Sequence, residues 1–160
     1  MAMAFFMSLV IFSNITDYET NFQFVYHMFQ MDTINPNSPI KYRYVSSPSI
    51  QHGGFILVII LQAITCVLCW LGSFILLKNI KAPAPVFNKK KSIAITGLTL
   101  GFLVWQVGFM SIAGGWYGVW MSSKWDVIPD SFRFFVTIIL VLIYLVMPEF
   151  DHYDADEDDE

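Results

Sequence analysis

Charge is what this chain has least of. Asp, Glu, Lys and Arg make up 14% of its 160 residues, where soluble domains carry about 25%, and hydrophobic residues reach 56%, where roughly 45 to 50% is usual. An ordinary soluble domain is excluded. Acidic residues outnumber basic ones, for a formal net charge of −4, so there is no cationic excess to meet phosphates and nucleic acid is excluded as a partner. Cysteine is nearly missing as well. Cys66 and Cys69 cannot build a disulfide scaffold, and both fall inside an apolar run that shields them from oxidant and metal. The N-terminus lacks a basic region, and its apolar stretch leads into Asn14-Ile15-Thr16 rather than a small-x-small cleavage site. The first hydrophobic segment is therefore expected to be retained.

What the chain does have is long hydrophobic runs and a mean hydropathy of +0.55, the mark of an integral membrane protein. Four segments stand out, at about 1–13, 53–77, 92–113 and 132–147. A helix rising ~1.5 Å per residue needs about 20 residues to cross the hydrocarbon. The second and third runs are long enough. The fourth reaches the length once Phe132 and Arg133 are included, because an arginine stem can lie along the helix with its head at the interface. The first would rise only about 20 Å, and the expectation is that the natural start lies upstream. The predicted fold class is an all-α membrane protein, a bundle of four transmembrane helices. It forms one membrane domain over 1–148 with an acidic, solvated, disordered tail over 149–160.

The lysines predict topology. The connection from Lys78 to Lys91 holds five lysines and no acid, and short basic loops stay cytoplasmic. The loops 14–52 and 114–131 each carry a net charge of −1, which puts them outside and both termini in the cytoplasm. Trp116, Trp120 and Trp125 then form an interfacial aromatic belt. In the long first outer loop, Thr16 and Glu19 read as a capping box, and Tyr18, Phe22, Val25 and Phe29 recur at helical spacing. An amphipathic helix from about Asp17 to Met31 is predicted in that extracytoplasmic loop, on the membrane surface or over the bundle.

Three groups of residues are candidates for function. Gly97, Gly101, Gly108 and Gly115 fall within about 40° of one line at ~100° per residue, a smooth stripe for a neighbouring helix. Gln62, Cys66, Cys69 and Ser73 share a second face that should point inward, away from lipid. Asp17, Asn21, His27, Asp32, Arg43 and His52 form an outer-face polar set able in principle to move protons or bind a ligand. Their spacing matches no metal signature, and a hydrogen-bonded cap on the loop is the preferred reading. Neither a Ser/His/Asp order, a phosphate loop nor paired intramembrane carboxylates are found in the sequence. No catalytic, metal or cofactor site is therefore predicted. Asn14-Ile15-Thr16 also matches a glycosylation sequon, which its position against the membrane makes unusable.

Thr16-Asp17-Tyr18, Asn21-Phe22, His27, Met31-Asp32-Thr33, Arg43, Ser47-Pro48 and His52 together resemble a bacterial family of predicted small integral membrane proteins of unknown function. The resemblance continues through Gly97 to Phe102, Trp105, Gly108-Phe109-Met110, Trp116, Trp120, Trp125 and Phe132-Arg133-Phe134. It implies a four-helix protein of the bacterial inner membrane and no known activity. It also implies acidic residues at the position of Gly115 and near Gln62, which this chain lacks, and this weakens a transporter reading. The expectation is a non-enzymatic accessory or structural subunit that lies in the lipid bilayer and packs against another membrane protein or a second copy. The alternative is a small-molecule or ion transporter, a binding protein or a membrane enzyme that uses the outer-face Asp/His set.

Overall fold

A computed structural model describes residues 1–151, and these are helical wherever they are regular. Helix α1 runs Ala2–Thr16 and α2 Tyr18–Gln30, followed by a 3₁₀ turn at Pro39–Arg43. Helix α3, Pro48–Lys78, is the longest, and short α4, Ala84–Lys90, leads into α5, Ser92–Leu103. The chain then continues as a π-helix over Val104–Trp116, makes a 3₁₀ turn at Val119–Met121 and ends in α6, Ile128–Val146. Three helical stretches are long and apolar enough to cross a membrane, and α1 is a shorter apolar fourth.

Proline sets several of the boundaries. Pro48 occupies the first turn of α3, where its missing N–H costs nothing, and holds Ser47 before it in an extended conformation. Pro129 likewise sits in the first turn of α6, where no hydrogen bond is lost, and Pro148 keeps Met147 extended just past that helix's end. The run read as 53–77 therefore begins earlier, and Gln51 and His52 lie inside α3 rather than in a loop. Helix α2 ends without glycine: Met31 itself turns left-handed at φ 50° and is fully buried, which swings the chain back under the helix.

The expected capping box does not form. Helix α1 continues through Thr16, whose hydroxyl donates to the Phe12 carbonyl one turn back at 2.7 Å. Asp17 then separates the two helices, with its amide bonded to the Ser13 carbonyl.

Two apolar cores stack along the bundle. One, at the α2 end, gathers Phe22, Val25, Met28, Met31, Phe55, Ala113 and Tyr117. The other joins α1, α3, α5 and α6 through Ala4, Met7, Cys66, Cys69, Leu98, Trp105 and Ile138. Helices α3 and α5 approach most closely. A Cβ on Gly72 would lie 2.6 Å from the backbone and Cβ of Ala94, and one on Gly97 would lie 2.9 Å from Leu68 Cβ and 3.0 Å from the Cys69 nitrogen. Gly101 faces Thr65 and Met7. These are the small-residue contacts that let membrane helices touch without a hydrophobic drive between them.

The straight glycine stripe does not persist. Gly108 has nothing within 4 Å of its Cβ position, and Gly115 meets only the Met110 carbonyl at 3.9 Å. Both lie in the π-helix, whose i to i+5 bonding winds fewer degrees per residue and carries them off the line that α-helical spacing predicts. The close contact there belongs instead to Gly114, against Ile128.

At the opposite end the chain closes on itself. Lys91 is 3% exposed. Its ammonium donates to the Met147 carbonyl at 2.7 Å and lies 3.4 Å from a Glu149 carboxylate oxygen. The Asn88 carboxamide pairs with the backbone of Glu149 at 2.9 and 3.0 Å, and Asp151 accepts from the Ala84 amide at 2.7 Å. The segment expected to be disordered from residue 149 thus begins anchored on α4. Its remaining part, 152–160, lies outside the described residues.

Backbone proximity makes Gly72→Ala destabilising by about 1 to 3 kcal/mol, the usual cost of overpacking. Gly53→Ala, with open space around its Cβ position, should instead be neutral or stabilising by up to about 1 kcal/mol through helix propensity. Thermal unfolding of the two variants in mild detergent checks the opposite signs.

Candidate functional site

The outer-face polar residues do not converge. They are divided among separate contacts between different elements. The Tyr18 hydroxyl lies 2.9 Å from His52 Nδ1, and the His52 ring stacks on Phe22 with centroids 4.0 Å apart. Burial, with the Glu19 carboxylate adding to it, raises the Tyr18 pKa. The phenol therefore keeps its proton. His27 Nδ1 lies 2.9 Å from both Asp32 carboxylate oxygens, and its ring stacks on Trp125 at 4.8 Å. Arg43 donates to the Trp116 carbonyl at 2.9 Å with its guanidinium 4.2 Å from the Trp116 ring centroid. Asn21 donates to the carbonyls of Ser13 and Asp17, closing the corner between α1 and α2. Among the described residues, no three His, Cys, Asp or Glu side chains come close enough to hold a metal ion. Each of these contacts is complete in itself and points at a tie for the loop, with no shared centre for chemistry.

The polar face of α3 does turn inward, toward α1. Asn14 Nδ2 donates to Gln62 Oε1 at 2.8 Å. Ser8 Oγ lies 3.3 Å from Cys66 Sγ and accepts from Trp70 Nε1 at 3.0 Å. Cys66 and Cys69 are buried free thiols in the spanning part of the bundle.

Above this face lies the feature that sequence reasoning missed, a cavity of about 640 Å³ between α2, α3 and the π-helix. Such volumes suit a small-molecule ligand. Phe24, Val25 and Phe29 of α2 close one side, Phe55 and Val58 of α3 a second, and Val104, Gly108 and Phe109 a third. Asn14, Asn21 and Gln62 supply its polar side chains, and Asn14 and Gln62 are joined to each other at its corner. Leu57 on α3 and Leu103, Val107 and Ile112 on the facing helix are about half exposed and rim the opening, so the cavity opens sideways where lipid would lie. Gly108 and the π-winding make the room: an α-helix would have turned that glycine toward α3 and closed the gap. The only cue in the sequence was a pair of carboxamides set in apolar runs, because i to i+5 winding leaves no residue signature.

A helical bundle with three stretches long and apolar enough to cross a membrane and a shorter apolar fourth helix defines an integral membrane protein. The family model described as predicted small integral membrane protein, DUF2165, matches residues 1–148, and the chain belongs to that family. No curated protein and no solved structure matches it.

Because the Tyr18–His52 and Arg43–Trp116 contacts share no partner, Tyr18→Phe and Arg43→Ala should each cost about 1 kcal/mol and add to within about 0.5 kcal/mol in the double variant. Denaturation of the three variants in detergent measures the coupling. A larger coupling energy would mean that the outer-face residues act as one site.

Proposed function

We propose that this protein is a non-enzymatic membrane protein that holds a lipophilic small molecule in the cavity beneath α2. The observation that carries this reading is the lateral opening. An apolar chamber of ligand size, rimmed by half-exposed leucine, valine and isoleucine on two spanning helices, is reached from the bilayer rather than from water. The polar residues of the loops fit this reading because they are spent on holding α2 and the aromatic turn over the cavity. The accessory-subunit reading rests on a different feature: α6 buries only Ser131 and Ile138, leaving a broad apolar face for lipid or for another membrane protein.

The reading extends to location: a multi-pass protein of the bacterial inner membrane, with the lysine-rich connection and both termini in the cytoplasm. The positive-inside rule supports it. So does the shared cavity lined by Met1, Leu76 and Leu145, which brings the start of α1 and the ends of α3 and α6 to the same end of the bundle.

Gly108→Leu fills the cavity from a position with free space around it and should leave the unfolding temperature within a few degrees of wild type. Mass spectrometry of protein purified in mild detergent should then show a lipophile on the wild type and at least tenfold less on the variant. Equal occupancy on both would overturn the ligand reading, and a stoichiometric protein in its place would favour the subunit reading. Topology is read with a membrane-impermeant maleimide on intact spheroplasts: Ser123→Cys should label at once and Lys81→Cys only after permeabilisation.

A further inference from the structure

The polar corner of the cavity carries more information than its apolar walls. Gln62 is 2% exposed, and its carbonyl oxygen accepts from Asn14 Nδ2 at 2.8 Å. Its own amide nitrogen meets no acceptor among the described residues. Nor, among those residues, does any side-chain nitrogen or oxygen lie sealed from solvent-sized space without a partner. The Gln62 amide therefore opens into the cavity that the residue lines. Exchanging the amide nitrogen and oxygen of both side chains leaves the same outcome: one hydrogen bond joins the pair, and one amide nitrogen and one amide oxygen remain outside it.

Depth and charge narrow what those two groups would meet. Gln62 stands about 21 Å from the start of α3 and about 24 Å from its end at ~1.5 Å per residue, in the middle of the spanning helix. A phospholipid headgroup stays at the interface, about 15 Å from the midplane. The partner of the Gln62 amide must be a polar group on a molecule that enters the hydrocarbon whole. No Asp, Glu, Lys, Arg or His lines the cavity, so nothing there would neutralise a charged head. Phe24, Phe29, Phe55 and Phe109 supply flat walls, with the Phe24 and Phe109 rings stacked at 6.0 Å.

We propose that the Asn14–Gln62 pair reads the head of a neutral lipophile bearing ring carbonyls, a molecule of the quinone class, with its apolar tail leaving between Leu57 and Val107. The amide donor serves a ring carbonyl, and the remaining acceptor serves the hydroxyl of the reduced form. This inference rests on the ligand reading above and adds the chemistry of the head.

The test uses full-length protein in nanodiscs and two probes of equal tail length, a decyl-substituted benzoquinone and decylbenzene, with binding read by thermal shift and tryptophan quenching. Wild type should bind the quinone at least tenfold more tightly. Gln62→Leu should bring the quinone down to the affinity of decylbenzene without changing the latter, and Gly108→Leu should weaken both. Equal affinity of wild type for the two probes, or an equal loss of both in Gln62→Leu, overturns head recognition and leaves the cavity reading standing. Failure of both probes to bind, or indifference of both to Gly108→Leu, overturns the cavity reading itself. Should Gln62→Leu fail to fold, the wild-type ratio of the two probes decides alone.

Discussion

The contact between α3 and α5 is the constraint on which the rest of the bundle depends. Within lipid there is no hydrophobic gain in bringing two helices together, so association comes from packing and from polar pairs that lipid cannot satisfy. Gly72 against Ala94 and Gly97 against Leu68 and Cys69 supply the packing. With α5 held there, the Gln62 and Cys66 face of α3 is left to α1, which meets it with Asn14 and Ser8. Helix α6 then closes on α5, where Ile138 is fully buried near Gly101.

The same contact explains why the cavity lies where it does. Two helices pinned together at one end diverge unless their small residues continue in register, and here the register is broken. From Val104 onward the backbone bonds five residues back rather than four, and Gly108 leaves the line that Gly97 and Gly101 define. Helix α2, tied to α3 through Tyr18, Phe22 and Phe29, covers the resulting gap at one end without filling it.

Much of the architecture was legible in the sequence, because hydropathy and length suffice for spanning helices and helical spacing suffices for α2. Membership of a family of small integral membrane proteins was legible too, from motifs such as Gly97 to Phe102 and Phe132-Arg133-Phe134. Three local features were not. The Thr16–Glu19 pattern satisfies a capping rule, but α1 runs on through Thr16 and takes the hydroxyl for itself. The glycine stripe presumed one helical period, and the π-helix changes it. The outer polar residues are close in chain order and chemically suited to a shared site, yet their partners, Trp125, Trp116 and Tyr18, lie on different elements that no spacing rule connects.

The Lys91 clamp bears on the order in which the molecule is completed. Its partners, the Met147 carbonyl and Glu149, are separated from it by 56 and 58 residues and leave the ribosome after every other helix. Until then the Lys91 ammonium has nothing to donate to within the bundle and adds its charge to a connection of five lysines. The one lysine of that connection that finishes buried is thus the one whose partners come last in the chain. Because those partners lie just beyond α6, this contact cannot form before the last helix is in place.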